Sequence, residues 1–485
     1  MRVILPVLAA LALSACASLS DRAAASLNSQ TLKGVHWGLV VTTLEGRELI
    51  AINPDDRFLP ASNTKLFTVA AAFHTLGDMT RADPAFGTSI RLITGEGESP
   101  SLFLVGAGDP TLIDADDCQQ NCLSDLANAV LLNGVREVET VIADETLYPR
   151  EPWPPGWNQD DMVTRSGAPV SALTVNSNEL GLIVRAGADV GMPGEITYRE
   201  GPELYDINNH VDTIPADSKL ETYVIAERFP DEPDDIRVFG RIKANSQPVN
   251  LSVSVHDTAW AAGMRLKLLL ESRGIPVTDG VEARYRPLKI FDDTATAFTS
   301  PRPGIEIARL VPRPLIEDVT FLMKQSHNLH AELLLRRVGL VHGDGSREAG
   351  LKQVETTLTE IGAPRWSWDF FDGSGMSTYN RVTPRTVAQL LRWTTQQPWG
   401  QDFRDTLPIG GVDGTLRRRF TGTSLEGRVF AKTGTLMGTN ALSGFLTAKS
   451  GKTLIFSAYA NDRPSGAPPA IDTLDAALVT IAETN

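Results

Sequence analysis

The two ends of the chain read as pieces of one sheet, and that fixes the organisation of everything between them. Near the start, residues 36–44 and Glu48–Ile52 are β-rich runs flanking Glu45-Gly46-Arg47, the pattern of a hairpin. Near the end, Val429–Leu436, 441–448 and 453–460 are successive strands, the last two joined around Lys449-Ser450-Gly451-Lys452. A helix over 65–76, with an apolar stripe at Leu66, Val69, Ala70 and Phe73 and a stop at Gly77, follows the first hairpin. A second amphipathic helix over 470–482 closes the chain. An antiparallel sheet with helices on its faces therefore needs both termini, so its domain is discontinuous and the middle of the chain is an insertion.

The middle, from about 85 to 292, has a different texture. Short alternating runs dominate it, at Ser101–Val105, 179–184, 221–225 and 236–242, with helices at Leu123–Leu132 and 258–272. This predicts two small β-rich domains, one nested in the other: 85–172 with 246–292, enclosing 173–245. The main domain is then 31–84 with 293–485, and the 485 residues suit about three domains at roughly 150 residues each. In its second part, Leu315, Ile316, Val319, Leu322 and Met323 mark a helix that stops at Gln325, and another begins by Ala331. The acidic, proline-broken run 229–235 reads as a solvated loop.

The chain opens with Met1-Arg2 and an apolar run over 3–15, shorter than the roughly 20 residues a membrane-crossing helix needs, so 1–15 reads as an export signal. Leu13-Ser14-Ala15-Cys16 resembles the lipobox of bacterial lipoproteins, which implies acylation of Cys16 and a tether over 16–30; a secretory signal cleaved further on, discarding Cys16, is the alternative. A lipidated Cys16 implies a membrane partner held through acyl chains with no spanning helix. Ala17 stands where an aspartate is associated with inner-membrane retention, which points to the outer membrane of the periplasm. In an exported chain Cys118 and Cys122 read as a disulfide, with two free thiols as the alternative. A net charge of −14 sets nucleic acid aside as a partner.

Ser62-Asn63-Thr64-Lys65 places a hydroxyl and an amine three apart at a helix start, where side chains at i and i+3 can touch. Serine attacks only if something takes its proton, and a lysine can do so when burial and neighbouring cations keep it neutral. Ser326-His327-Asn328 stands at the junction of two helices, where side chains can converge on a pocket. Lys432-Thr433-Gly434-Thr435 lies on a strand, a fixed cation beside a glycine that would let a substrate lie against the strand edge.

In this order the three groups resemble the SxxK, SxN and KTG triplet of the penicillin-recognising serine enzymes. The stretches 60–68, 167–173, Asp372-Gly373-Ser374-Gly375-Met376-Ser377, Val412-Asp413-Gly414-Thr415-Leu416 and 431–436 extend the resemblance to the low-molecular-mass class C penicillin-binding proteins, D-alanyl-D-alanine carboxypeptidases and endopeptidases, over about 30–480. The long gap between Ser62 and Ser326 agrees with the two inserted domains of that family. The resemblance implies a mixed α/β (α+β) penicillin-recognising serine enzyme fold, an antiparallel sheet flanked by helices with two inserted β-rich domains.

It further implies that Ser62 is the nucleophile and Lys65 its base, that Ser326 relays a proton to the leaving amine, and that Asn328 holds Lys65 and substrate. Lys432 would bind the substrate carboxylate with Thr433 and Thr435, beside Gly434, and repel charge from Lys65. The backbone N–H groups of Ser62 and Thr435 would hold the oxyanion. The implied partners are peptidoglycan stem peptides, with β-lactams as covalent inhibitors, and no cofactor or metal is called for. A serine β-lactamase or esterase of the same fold, or a non-catalytic wall-binding lipoprotein, are the competing readings. His327 departs from the aspartate or small polar residue of many relatives; with His330 and Glu332 it lacks metal-ligand spacing. Arg417-Arg418-Arg419 reads as a solvated charge run, and Ser374 as part of a turn that packs or lines the cleft.

Overall fold

The computed structural model describes residues 30–95, 99–199, 201–229, 232–288 and 302–485, together with Ala25 and Leu27. The export signal at 1–15, Cys16 and most of the tether lie outside the described residues.

The main sheet has five strands in the order Val429–Leu436, Thr439–Thr447, Thr453–Asn461, His36–Thr43 and Glu48–Ile52, all antiparallel. The terminal segments meet directly, with His36 opposite Asn461 and Thr43 opposite Leu454. Both faces are covered. Val40, Phe445, Ile455 and Tyr459 pack against Thr64–Leu76, Asn328–Val341 and Pro384–Thr394. Leu39, Val41, Leu442 and Phe456 pack on the other side against the closing helix Ile471–Thr484. A strand buried on both faces carries apolar residues at consecutive positions, which is why these runs show little alternation.

The insertion holds two cores. The first is a five-stranded sheet in the order Val277–Pro287, Val138–Arg150, Ser101–Val105, Ser89–Ile93 and Ile305–Arg309, with the helices Leu123–Leu132 and Thr258–Glu271 packed on it. Val138–Arg150 runs parallel to both of its neighbours. The second core lies between two three-stranded sheets, one of Val249–Ser254, Glu179–Arg185 and Glu195–Tyr198, the other of Asp206–Ile214, Asp235–Lys243 and Tyr223–Glu227.

Strand pairing moves two of the expected boundaries. Val249–Ser254 pairs with Glu179–Val184, so it belongs to the second insert and not to the 246–292 segment of the first. Ile305–Arg309 pairs with Ser89–Leu92, so the first insert reaches past 292 to about 309. In both cases the partner strand is remote in sequence, and local composition carries no trace of it. The helices Arg347–Glu360 and Gly400–Thr406 and the strongly amphipathic Pro384–Thr394 complete the helical layers of the main domain.

Cys118 and Cys122 are bonded to one another across a Cα–Cα distance of 5.9 Å. The same loop is held by backbone hydrogen bonds from Ile113 N–H to the Asn121 carbonyl and from Leu123 N–H to the Ile113 carbonyl. So short a loop restrains little of the unfolded chain, and replacing both cysteines with serine should cost about 2 kcal/mol in urea unfolding. Loss of folding in that variant would contradict a purely local role.

Candidate active site

Ser62 occupies a 3-10 turn, Ala61–Asn63, that leads directly into the helix Thr64–Leu76. The turn is forced: Ala61 has a φ of 48°, a conformation alanine rarely adopts. It is clamped from two sides. Asn63 Nδ2 donates to the Lys432 carbonyl at 3.0 Å, tying the turn to the strand Val429–Leu436. Gly375 lies against the Ala61 carbonyl, where any Cβ would collide.

Lys65 lies one turn along the same helix and is fully buried. Its Nζ has three neighbours: Ser62 Oγ at 2.9 Å, Asn328 Oδ1 at 2.7 Å and the Ser374 carbonyl at 2.6 Å. Burial lowers its pKa from 10.5 to about 7, against the partial opposition of the Asp372 and Glu332 carboxylates. A neutral amine has two N–H bonds and one lone pair. The Asn328 and Ser374 oxygens can only accept, so the lone pair is left for the Ser62 hydroxyl proton.

The second wall comes from the junction of Leu315–Gln325 and Asn328–Val341. Ser326 caps the first helix in a left-handed conformation with a φ of 59°, and Asn328 starts the second. Asn328 spans two parts of the chain, accepting from Lys65 and donating through Nδ2 to the Ser166 carbonyl at 2.9 Å. Ser326 Oγ accepts from Lys432 Nζ at 2.8 Å.

Lys432 lies on the edge strand of the main sheet and is buried, its amine donating also to the Thr433 carbonyl at 2.9 Å. Both partners are neutral. Burial, and then repulsion from Lys65, holds its ammonium form well below the ordinary lysine range. The expected repulsion therefore registers on Lys432, while burial dominates at Lys65. The edge is part-used: the N–H of Ala431 donates to the Pro408 carbonyl. Alternation along an antiparallel strand then turns the N–H of Thr433 and Thr435 toward the same open side. Thr433 Oγ1 donates to Thr415 Oγ1 at 2.8 Å, which anchors the turn 412–416 beside the strand.

Gly434 corrects an expectation. A Cβ there would stand 2.6 Å from the Pro60 carbonyl, so the missing side chain makes room for the serine turn and not for a substrate.

Sequence reasoning missed the socket behind Lys65. Asp372 is fully buried and accepts from the backbone N–H groups of Gly375 and Ser377 and from Trp157 Nε1, Asn380 Nδ2 and Ser374 Oγ. Glu332 Oε1 accepts from the N–H groups of Gly373 and Ser374 at 2.9 and 2.8 Å. Burial, with the Asp372 charge, pushes the Glu332 carboxyl up to about 7. Two acids thus build the turn whose Ser374 carbonyl holds the lysine. The signal for Glu332 was present in a lone carboxylate amid the leucines of His330-Ala331-Glu332-Leu333-Leu334-Leu335.

His327 packs against the Phe321 and His330 rings, its Nε2 3.4 Å from Glu179 Oε1, and burial lowers its pKa well below the ordinary range. Arg419 pairs with Asp475 while Arg417 and Arg418 are exposed.

Against known proteins, the profile of the D-Ala-D-Ala carboxypeptidase 3 (S13) family matches residues 19–484. The D-alanyl-D-alanine carboxypeptidase of Actinomadura sp. (strain R39) is 35% identical over 480 residues, covering 95% of this chain and 83% of that protein. The D-alanyl-D-alanine carboxypeptidase DacB of Haemophilus influenzae is 25% identical over 446 residues, 91% of this chain and 88% of that one. Among solved structures, penicillin binding protein 4 from Haemophilus influenzae aligns with a TM-score of 0.79 at 23% identity, covering 95% of this chain and 98% of that one.

Three outcomes follow from the geometry. Gly434→Ala should slow acylation of Ser62 at least tenfold and lower the melting temperature, since the Pro60 carbonyl is backbone and cannot step aside; an unchanged rate would show that the strand and turn are not in contact. A lysine can take the Ser62 proton only when neutral, so the rate of Ser62 acylation should fall about tenfold per pH unit below about 7 and level off above it. Glu332→Gln keeps the acceptor for Gly373 and Ser374 but removes a charge that favours the ammonium, so this acid limb should move to lower pH. Movement to higher pH would contradict the assignment.

Proposed function

The chain belongs to the D-Ala-D-Ala carboxypeptidase 3 (S13) family, and on that footing we propose how its residues carry out the reaction. The protein is a serine-type D-alanyl-D-alanine carboxypeptidase. The observation that supports the assignment of roles is the Lys65 amine, fixed by two acceptors so that its third position meets Ser62 Oγ at 2.9 Å.

In the proposed sequence a stem peptide ending in D-Ala-D-Ala binds with its carboxylate at the mouth of the Lys432 site. An arriving carboxylate restores the ammonium form that burial disfavours there, so the cation is held in reserve until substrate supplies its counter-charge. Ser62 Oγ attacks the carbonyl as its proton passes to Lys65. The oxyanion lies between the N–H groups of Ser62 and Thr435, where losing one donor costs about 3–4 kcal/mol in comparable sites. Ser326, bonded to Lys432, passes a proton to the leaving D-alanine, and water hydrolyses the ester. The same acylation on a cross-linked dimer makes the enzyme an endopeptidase as well.

A structure similar in fold, penicillin binding protein 4 from Haemophilus influenzae, is complexed with a β-lactam. β-Lactams would acylate Ser62 here, and the opened ring keeps its amine tethered, so the adduct persists. Export through the 1–15 signal, and a lipid anchor at Cys16 in the outer membrane, complete the proposal; among the described residues no helix is long and apolar enough to cross a membrane.

Fluorescent penicillin should label the wild type and leave Ser62→Ala unlabelled, and mass spectrometry of muropeptides should show loss of one alanine from pentapeptides. Failure of the folded wild type to label, or turnover of penicillin faster than of peptide, would overturn the reading. Splitting of dimers reports the endopeptidase reaction separately.

A further inference from the structure

The helix Asn328–Val341 carries a second base, His330, on the side facing away from Lys65, and the hydroxyl of Ser177 from an insert meets it there. Asn328 and His330 are two residues apart, about 200° around the helix axis, and so do not share a face. Asn328 meets Lys65, whereas His330 lines a separate pocket of about 230 Å³ between the main domain and the inserted segments. There His330 Nδ1 lies 2.5 Å from Asp318 Oδ1 and His330 Nε2 lies 3.1 Å from Ser177 Oγ. The reaction at Ser62 uses none of these three groups.

The order of contacts fixes the protons. An ionised carboxylate can only accept, so the imidazole N–H belongs on Nδ1 and the Nε2 lone pair faces the Ser177 hydroxyl. His330 and Asp318 are both buried, while Ser177 is half-buried and lines the pocket with them. If His330 takes a proton, Asp318 balances the charge. Its ring neighbour His327, 4.2 Å away between centroids, is kept neutral by burial and adds no opposing charge.

The backbone at Ser177 is bent in an unusual way. Asn176, Ser177 and Asn178 have φ values of 50°, 55° and 55°, three successive left-handed residues with no glycine among them. The asparagine side chains hold the bend: Asn176 bonds both the N–H and the carbonyl of Asp114, and Asn178 Nδ2 donates to the Pro169 carbonyl. The serine between them bonds only outward, to His330, in the manner of a sharp turn that presents a nucleophilic hydroxyl. Leu112, Ile113 and Phe321 give the pocket an apolar wall, and the exposed Arg313 and Glu317 stand on its rim.

We infer that Ser177, His330 and Asp318 form a second nucleophilic centre, independent of Ser62, that accepts small esters. Ser177 Oγ attacks the ester carbonyl while its proton passes to His330 Nε2, and the alcohol leaves with that proton. Water then attacks the Ser177 ester, giving its proton to His330, and the carboxylic acid departs as the proton returns to Ser177. The Arg313 guanidinium is the cationic donor available on the pocket for the oxygen that gains charge. The pocket volume suits a short acyl group and not a polymer end.

The test uses the full-length Ser62→Ala protein, a fluorophosphonate probe and peptide mapping by mass spectrometry. The expected result is probe attached to Ser177, together with hydrolysis of p-nitrophenyl acetate that Ser177→Ala abolishes. His330→Gln should slow both by about 100-fold or more. A folded Ser62→Ala protein that carries no probe on Ser177 overturns the inference, as does a folded His330→Gln protein labelled at the original rate. The mapped label on Ser62→Ala decides the matter even if the histidine variant does not fold. Penicillin labelling of the wild type reports Ser62 alone, so failure there and failure here are separate results.

Discussion

A primary amine taken wholly out of water governs this molecule. Leaving Lys65 charged in the interior would be costly, and the surrounding structure offers it oxygen acceptors but no direct ion pair. The consequence is a base available near neutral pH on a side chain that is ordinarily a cation. The elements that surround it come from four remote parts of the sequence: the serine turn, the Ser326 junction, the 372–377 turn and the edge strand of the main sheet. Discontinuity of the main domain is what allows them to meet, because the first strand of the chain pairs with its last.

The socket also explains where strain is placed. Ala61 and Ser326, on opposite walls of the cleft, both have left-handed backbones. Ala61 immediately precedes Ser62, and Ser326 stands two residues before Asn328; both Ser62 and Asn328 touch the Lys65 amine, so the strain sets their direction. The compensating contacts are the Asn63 bond to Lys432, the Gly375 contact with Ala61 and the carboxylate-locked turn at Asp372. Two acids near a base that must stay neutral look counterproductive, since each favours the ammonium. Glu332 is itself pushed toward its neutral form at about 7, which limits that opposition, and its geometric task of orienting the Ser374 carbonyl is fulfilled either way.

How much of this was legible in the sequence depends on whether a residue acts through its side-chain chemistry or through its backbone. Ser62, Lys65, Ser326, Asn328 and Lys432, which the fold brings to one cleft, could be singled out because the proposed acyl transfer needs those functional groups. Strands such as Ser101–Val105 and helices such as Leu123–Leu132 could be read because period and caps are local. The Ser374 carbonyl could not, since every residue has one. The reason for Gly434 could not, since its neighbour Pro60 is hundreds of positions away and a glycine on a strand edge suits a ligand equally well. Strand partners were equally hidden: nothing in Val249–Ser254 or Ile305–Arg309 states which remote strand it joins. The bond between His330 and Ser177 is of the same kind, one residue in the main domain and one in an insert, joined only by the fold.

The most direct measurement of the central claim is the titration of the Lys65 amine itself, followed by nitrogen NMR of the selectively labelled, uninhibited protein with Lys65→Arg as the assignment control. The account predicts a midpoint near 7, with the neutral amine predominant above it. A midpoint at or above the ordinary lysine value of 10.5 would mean that Lys65 is a fixed cation and that some other group takes the proton from Ser62.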